Sequence, residues 1–150
     1  MMAQEKYGDD FKIGDTYTTP AITVTETHVV NWAGLTLDFY PLHIDKEYAA
    51  KTQFGERLVH GPMIFALAVG LVSMAGFGGD AAIAWLGVDN MKMLGPVKIG
   101  DTVHVVVEVK EQRTTKDPAK GVQVWQYTVK NQRDDTVMVL DYTMMFHMRT

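Results

Sequence analysis

The longest apolar stretch of the chain runs from Gly61 to Gly79 and contains no charged residue. Pro62 falls in its first turn, where a proline costs little because the first N–H groups of a helix have no intrahelical partner. A helix that is apolar on nearly every side must be surrounded by other elements. The stretch therefore predicts a long buried helix, from Met63 to Gly79, at the centre of the fold. Its several glycines and the lack of an aromatic belt or basic flank argue against a membrane span.

From Met91 onward the hydrophobic pattern has a period of two, which is typical of β-strands. Apolar residues alternate with polar ones across residues 103–110, and two further alternating runs cover residues 122–129 and 137–144. Residues 117–121 and 131–135 between the runs are rich in the turn-forming residues Asp, Asn, Pro and Gly. The pattern predicts three long antiparallel strands, with the first half of the chain helical in character.

Two short helices are expected before the long one. Thr25 can cap the first, which covers Thr25–Ala33 with Val29, Val30 and Ala33 on one face. Asp45 can cap the second, and Gly55 lies just past its end. The residues expected on one side of this second helix are Tyr48, Ala49 and Thr52.

A central apolar helix and a set of long antiparallel strands define the expected fold class. We predict an α+β hot-dog fold, in which a curved antiparallel sheet wraps around a long central helix, as a single domain over residues 1–150. Such a sheet has an exposed edge, and pairing two copies edge to edge would cover it. We therefore expect a homodimer or a higher homo-oligomer.

Composition excludes several classes of function. The formal net charge is -4 and no run of Lys or Arg is present, so nucleic-acid binding is not expected. The chain has no cysteine, which excludes disulfides, thiolate metal sites and a cysteine nucleophile. The polar, acidic segment Met1–Phe11 lacks the apolar core of a signal peptide, so a cytoplasmic location without membrane attachment is expected.

A carboxylate and an imidazole stand close together before the apolar helix. Asp38 and His43 lie on one tight turn that Pro41 restrains, and His60-Gly61 follows seventeen residues later at the start of the helix. An acid, a base and a helix N-terminus that favours negative charge are what the addition of water across an activated double bond requires. The spacing therefore favours an enzyme.

These residues resemble the MaoC-like hydratases, the (R)-specific enoyl-CoA hydratase family of hot-dog proteins. The family motif, usually written G-D-x-N-P-L-H, stands here as Leu37-Asp38-Phe39-Tyr40-Pro41-Leu42-His43. The resemblance continues through the flanking segments 29–36 and 44–49, Phe54-Gly55, His60-Gly61 and 95–102, which together span nearly the whole chain. Two departures stand out: Leu37 replaces the glycine of the motif and Tyr40 replaces its asparagine. Leu37 implies a backbone that does not need a positive φ, and Tyr40 puts the choice of substrate in question.

The resemblance implies a role for each site residue. Asp38 and His43 would be the catalytic pair that activates water, and the Gly61 amide would serve the thioester oxygen as negative charge develops there. His60 is expected to be a structural or substrate-lining residue rather than a proton shuttle. Tyr40 would narrow the acyl tunnel, contact a polar acyl group or fill space.

Other residues are given structural or peripheral roles. His28, His104 and His147 lie on different predicted elements and, with the two site histidines, show no metal-binding spacing, so no metal site is expected. The ten methionines are expected to fill the core, although some could line an adaptable acyl pocket. No bound cofactor is expected, because coenzyme A would be part of the substrate. The candidates for contacting its phosphates are Lys51, Arg57, Lys92 and Lys98.

The leading hypothesis is a hydro-lyase that converts a trans-2-enoyl-CoA and an (R)-3-hydroxyacyl-CoA into one another, with acyl carrier protein as another possible thiol carrier. A hot-dog acyl-CoA thioesterase is the second hypothesis. Enzymes of that kind generally use a carboxylate on the central helix, and residues 63–79 carry none. A non-catalytic acyl-thioester-binding module is the third hypothesis, and the intact Asp38 and His43 pair argues against it.

Overall fold

The computed structural model describes residues 6–149. Its central element is α4, Gly61–Ala75, which has Pro62 in its first turn. The helix ends at Gly76, whose φ of 67° places the residue in the left-handed region that glycine adopts without a Cβ clash. The predicted extension to Gly79 was wrong, because the chain turns at Gly76 and forms a short 3-10 helix at Gly79–Ala81. Among the described residues, no helix is long and apolar enough to cross a membrane.

Six strands surround this helix. They are β1 Thr16–Thr18, β2 Ile22–Thr23, β3 Ala82–Met93, β4 Thr102–Thr114, β5 Lys120–Lys130 and β6 Thr136–His147. The main sheet has the order β1-β4-β5-β6-β3, every pairing is antiparallel, and β2 pairs with β4 off this path. The three strands predicted from period-two patterns are confirmed as β4, β5 and β6.

The strands β1, β2 and β3 were missed. β1 and β2 precede the first α-helix and are only three and two residues long, so neither can show a hydrophobic period. β3 is twelve residues long, but most of its side chains are exposed and its pairing with β6 shifts register three times. Because each shift interrupts the alternation between the two faces of a strand, the sequence of β3 shows no clear period.

The core lies between α4 and the sheet. The buried residues of the helix are Met63, Ile64, Ala68, Leu71 and Val72. The alternating valines of β4 are fully buried beneath them, and the largest buried side chain, Trp125, comes from β5. Burial of this kind contributes about 25 cal/mol per Å² of apolar surface. An antiparallel sheet packed around one apolar helix is the hot-dog arrangement, so the predicted fold class is confirmed.

Three short helices carry the chain from β2 to α4. They are α1 Glu26–Thr36, α2 Pro41–Ile44 and α3 Lys46–Ala49. The backbone N–H of Thr25 donates to His28 Nδ1 at 2.9 Å, so His28 helps to cap α1. Asp45 caps α3 as predicted and accepts from the N–H groups of Glu47 and Tyr48. The prediction that Val30 shares the buried face of α1 was wrong, because that side chain is 51% exposed.

Candidate active site

The segment that carries the motif begins with a left-handed residue. Leu37 ends α1 with a φ of 65° and donates its N–H to the carbonyl of Ala33. The expectation that this position does not need a positive φ was therefore wrong. A helix that stops and reverses within one residue needs the left-handed conformation at that residue, whichever side chain it carries. A leucine in this region costs about 1–2 kcal/mol relative to glycine, and such strain is often found beside functional sites.

Asp38 directly follows Leu37, and hydrogen bonds hold both its carboxylate and its backbone carbonyl. Its carboxylate Oδ1 accepts from the N–H of Tyr40 at 3.3 Å, and its backbone carbonyl accepts from His60 Nε2 at 2.9 Å. The side chain of Asp38 is 45% exposed. A carboxylate tied to its own turn but still open to solvent can accept a proton from a bound water.

His43 lies in the second half of the motif, on α2, which Pro41 begins. Its Nδ1 lies 2.8 Å from the carbonyl oxygen of Leu58. A carbonyl can only accept, so Nδ1 carries the proton in this bond. In the neutral ring, Nε2 is then left as an acceptor for a water or a substrate hydroxyl. The Leu58 carbonyl was not anticipated, because a backbone oxygen has no signature in the sequence.

His60 lies fully buried against His43. The two imidazole rings stack with centroids 3.8 Å apart and an interplanar angle of 27°. Because His60 Nε2 donates to the Asp38 carbonyl, Nδ1 is the unprotonated nitrogen of the neutral ring. This Nδ1 is buried and has no hydrogen-bond partner among the described residues. The side chain thus connects the start of α4 to the loop of Asp38 and packs against His43.

The three side chains converge on one point. One carboxylate oxygen of Asp38 and one ring nitrogen of each histidine lie within 4.8 Å of one another. Two hydrogen bonds of about 2.8 Å that meet at a tetrahedral water bring their outer atoms about 4.5 Å apart. Asp38 and His43 therefore stand at a separation that a single water molecule can bridge.

Gly61 supplies a free amide at the start of α4, directly after His60. The N–H groups of Met63 and Ile64 bond to the His60 carbonyl and Pro62 has no N–H, whereas the Gly61 N–H has no acceptor within residues 6–149. It lies at the N-terminus of a 15-residue helix, where the helix dipole favours negative charge. Among the first residues of α4, this amide is the donor that remains open to a ligand.

A cavity of about 370 Å³ is lined by both His43 and Gly61. It is lined by His43, Phe54, Leu58, Val59, Gly61, Met93, Gly95, Pro96 and Val97. Its wall is mainly apolar, and its polar groups come from the imidazole and from the start of α4, as in a small-molecule site. Met93 on β3 was not predicted as a wall residue; its side chain would lie 3.7 Å from a Cβ at Gly61.

Comparison with known proteins identifies the family of this chain. Residues 10–131 match the family described as the MaoC like domain. The chain belongs to this MaoC-like family. It is 38% identical over 135 residues to Protein MaoC of Klebsiella aerogenes, an alignment that covers 85% of this chain and 40% of that protein. The (R)-specific enoyl-CoA hydratase of Rhodospirillum rubrum is 35% identical over 103 residues, which cover 69% of each chain.

A solved structure of similar sequence also has a similar fold. The structure of a monoamine oxidase regulatory protein from Archaeoglobus superimposes with a TM-score of 0.92 at 34% identity, and the match covers 100% of both chains. The MaoC-like chain spans less than half of the Klebsiella protein, so that protein's activity as a whole does not transfer to it. Two of the relatives are named as a hydratase and a dehydratase, the Rhodospirillum protein and a 3-hydroxybutyryl-CoA dehydratase of Methylorubrum extorquens.

Tyr40, which replaces the asparagine of the MaoC-like motif, lies beside His43. Its ring centroid is 6.0 Å from that of His43, and its hydroxyl lies 3.4 Å from the hydroxyl of Tyr48. This hydrogen bond raises the pKa of Tyr48 above its ordinary value. Neither Tyr40 nor His60 lines the cavity that joins His43 to Gly61. A direct contact of either side chain with substrate stays a prediction.

The same three side chains are a candidate set of metal ligands, because carboxylate and imidazole are common donors. Two of their nitrogens are already used: His43 Nδ1 bonds to Leu58 and His60 Nε2 to Asp38. The remaining nitrogen of His60 is buried. A metal would have to displace these bonds, so the present arrangement fits a bridging water better than a cation.

Proposed function

We propose that this MaoC-like chain hydrates a trans-2-enoyl thioester reversibly and gives an (R)-3-hydroxyacyl thioester. The observations that support the proposal are the water-bridging separation of Asp38 and His43 and the Gly61 amide, which lies on the same cavity as His43 and has no acceptor in residues 6–149. The printed name of the Rhodospirillum relative supports the choice of reaction and of stereochemistry. Coenzyme A or acyl carrier protein would be the thiol carrier.

The reaction needs one base, one donor and one water. A water held by Asp38 and His43 loses a proton to Asp38 as its oxygen forms a bond to C3 of the enoyl group. The electron pair of the C2–C3 double bond moves toward the thioester carbonyl, whose oxygen gains negative charge and accepts a hydrogen bond from the Gly61 N–H. The Asp38 and His43 pair then returns the proton to C2. Both parts of the water end on the substrate, and neither side chain changes its charge overall.

Each contribution has a characteristic size. General base catalysis contributes about 10²–10⁴-fold, and one donor at a developing oxyanion contributes about 10²–10³-fold. Glycine at position 61 lets the substrate approach the backbone, because a Cβ there would point toward Met93 and narrow the cavity.

The free edge of β3 supports a homodimer as part of the proposal. Among the strands of residues 6–149, β3 ends the main sheet and pairs with β6 alone, and Trp85, Leu86 and Met91 on it are about half exposed. A long apolar edge is a template for a second strand, and natural proteins cover such edges. Sedimentation equilibrium of the purified protein is expected to give the mass of at least two chains, and the mass of a single chain would contradict the dimer.

Two of the four cations suggested for the phosphates of coenzyme A are already paired. Lys98 lies 2.6 Å from Glu56, and Arg57 lies 2.9 Å from Glu26. Lys51 and Lys92 are exposed and form no ion pair within the part of the chain that the structure describes. Each is close in sequence to a residue of the cavity wall, so we assign the phosphate contacts to these two lysines.

The decisive experiment is the hydration of crotonyl-CoA, followed as loss of the enoyl-thioester absorbance. The variants Asp38→Asn and His43→Gln are expected to lower kcat/KM by about 10²–10⁴-fold. Glu47→Gln and His147→Gln are matched controls, because both side chains are exposed and lie outside the site. Hydration at the wild-type rate by Asp38→Asn would overturn the proposal. Release of free thiol in place of hydration would indicate a thioesterase, and no turnover across short and medium enoyl-CoAs would indicate a binding module.

A further inference from the structure

His60 is a fully buried histidine that takes no part in the reaction proposed above. It directly precedes Gly61 at the start of α4, and its side chain has no exposed surface. Burial of a polar ring is unfavourable unless its nitrogens find hydrogen-bond partners. The contacts of the two ring nitrogens therefore indicate what this side chain does.

One of the two nitrogens has a partner within residues 6–149. His60 Nε2 lies 2.9 Å from the backbone carbonyl oxygen of Asp38 and donates to it, because a carbonyl can only accept. Nδ1 is buried and has no partner in the same residues, which is destabilising. The polar contribution of His60 is thus the single bond from Nε2 to Asp38.

The carbonyl that accepts this bond belongs to a strained and exposed turn. Leu37 has the left-handed φ of 65°, and the N–H of Phe39 donates to the Leu37 carbonyl at 3.1 Å, so Asp38 is the central residue of a three-residue turn. The side chains of Leu37 and Phe39 are more than half exposed, so packing holds the turn weakly. The bond from His60 connects this turn to the central helix of the fold.

The ring of His60 also holds His43. The two imidazoles stack with centroids 3.8 Å apart, and this contact restricts the plane of the His43 ring. The bond from His43 Nδ1 to the Leu58 carbonyl restricts the rotation of the ring within that plane. Stack and bond together determine where His43 Nε2 points.

The carboxylate of Asp38 is left free by this arrangement. His60 Nε2 lies 4.0 Å from Asp38 Oδ2, which is too long for a hydrogen bond. Within the described residues, Oδ1 accepts from the N–H of Tyr40, whereas Oδ2 accepts from no donor. His60 therefore contacts the backbone of Asp38 and leaves an oxygen of its side chain open to a water.

We infer that His60 is a positioning residue, which holds Asp38 through its backbone carbonyl and His43 through its ring at the separation that one water can bridge. It acts through these two side chains and contacts neither the water nor the substrate. This inference rests on the proposed function, because it takes Asp38 and His43 as the catalytic pair.

Two variants divide the contacts of His60. His60→Phe keeps an aromatic ring against His43 and removes the donor to Asp38, whereas His60→Gln keeps an N–H donor at a similar distance from the backbone and removes the ring. His60→Phe is expected to lower kcat for crotonyl-CoA by about 10–10²-fold, because a displacement of about 1 Å can have an effect of this size. KM is expected to change by less than about twofold. His60→Gln is expected to restore kcat to within about fivefold of the wild type, since the bond to Asp38 is retained.

His28→Phe is the matched control. His28 also makes a bond to the backbone, from the N–H of Thr25 to its Nδ1, and it lies outside the catalytic cavity. Loss of a structural histidine at this place is expected to leave kcat unchanged. Circular dichroism on each variant establishes that the fold is retained.

A double-mutant cycle tests whether His60 acts through Asp38. In the Asp38→Asn background, His60→Phe is expected to lower the remaining rate by less than about twofold, because a side chain that no longer serves as a base gains nothing from correct placement. The same 10–10²-fold loss in both backgrounds would show an independent role for His60 and would overturn the inference.

Crystal structures of the two variants test the inference without turnover. In His60→Phe, the Asp38 oxygen and the His43 nitrogen that now lie within 4.8 Å of each other are expected to move apart, and in His60→Gln to keep their separation. An unchanged separation in His60→Phe, or a wild-type kcat for that variant, would overturn the positioning role. Absence of hydration by the wild-type protein would overturn the proposed function instead, and the crystal structures would still decide whether His60 sets the separation.

Discussion

The two ends of α4 open on cavities of nearly equal volume but of opposite chemical character. At the N-terminal end, the site side chains make hydrogen bonds to backbone groups, as His43 does with Leu58 and His60 with Asp38. At the C-terminal end, Tyr127 and Tyr142 are buried residues on the wall of a cavity of about 350 Å³, and their hydroxyls bond to no group in residues 6–149. The first arrangement holds side chains in fixed orientations, as catalysis requires, whereas the second leaves two hydroxyls without a fixed partner in the described part of the chain.

The dipole of the helix strengthens this contrast. Its positive end meets the Gly61 amide, where an oxyanion would form, and its negative end meets Asp80. One helix can thus favour a developing negative charge in the cavity at its N-terminus and disfavour a negative charge in the cavity at its C-terminus.

The largest effect is expected from removal of the free amide at the N-terminal end. Gly61→Pro deletes the N–H but suits the first position of a helix, and His60, with φ of -59° and ψ of 129°, already has the backbone that precedes a proline. The expected result is a loss of about 10²–10³-fold in kcat for crotonyl-CoA. Steady-state kinetics measure it.

Gly61→Ala is the control for that variant, because it keeps the N–H. The added Cβ would meet Met93 at 3.7 Å, an ordinary van der Waals contact, so the fold can accept it; because alanine and proline both add this Cβ, both variants narrow the cavity there and differ in the N–H. A rate for Gly61→Pro equal to that of Gly61→Ala would show that the amide is not the donor, and the contrast between the two helix ends would lose its catalytic half.

A smaller effect is expected at the C-terminal end, where the free energy of unfolding should depend on pH through the phenol of Tyr127. Burial, together with the neighbouring Tyr142, raises the pKa of Tyr127, so above about pH 10 the unfolded chain loses the phenolic proton while the folded chain keeps it. The stability that this proton provides is complete below that pH and is lost as the pH rises further. The free energy of unfolding should fall by up to about 1.4 kcal/mol per pH unit for this group.

Urea unfolding at several pH values measures this slope. Tyr127→Phe is expected to make it shallower above pH 10 and to leave the curve near neutral pH unchanged in shape. An identical slope in the variant would mean that Tyr127 ionises equally in both states and is not buried as described.

The smallest effect is expected on the free energy of unfolding when the residues that end two helices are exchanged. Leu37 ends α1 and Gly76 ends α4 with nearly the same φ, 65° and 67°. Leu37→Gly is expected to raise the free energy of unfolding by about 0.5–1 kcal/mol, because relief of the strain at leucine, about 1–2 kcal/mol, is partly offset by the greater freedom of glycine in the unfolded chain. Gly76→Ala is expected to lower it by about 1 kcal/mol, since the added Cβ meets no atom within 4 Å and only the backbone cost remains.

Thermal unfolding followed by circular dichroism compares the two variants. A gain in stability for Leu37→Gly accompanied by a loss of hydration activity would show that the strain at Leu37 serves the position of Asp38. A loss of stability for Leu37→Gly would contradict the assigned strain.

The predictability of the fold varied along the chain for identifiable reasons. In β4, alternate valines are buried on one face, so the period-two pattern is clear and the strand was predicted. In β3, exposure and three register shifts remove that pattern, so the strand was missed. The end of α4 was placed too late because the run of apolar residues continues past Gly76, although the backbone turns there.

The candidate site shows the same division. Asp38, His43 and Gly61 were chosen from their residue types and spacing; in the structure Asp38 lies close to His43, and His43 and Gly61 line one cavity, of whose wall Asp38 is not a part. The carbonyl of Leu58, which orients His43, and the wall residue Met93 were not predicted. Backbone groups and residues from a distant strand reach a site only through the packing of the fold.

The sequence by itself determined the central helix, the three strands with a clear period and the residues of the D-x-x-P-x-H motif, because hydrophobic periods and motif spacing depend on local chemistry. The tertiary structure alone decided how far apart the polar groups lie, which nitrogen of each imidazole holds the proton, and that two phenols from β5 and β6 face a cavity. These properties depend on contacts between residues far apart in the chain, and such contacts follow from the packing of the whole sheet around α4.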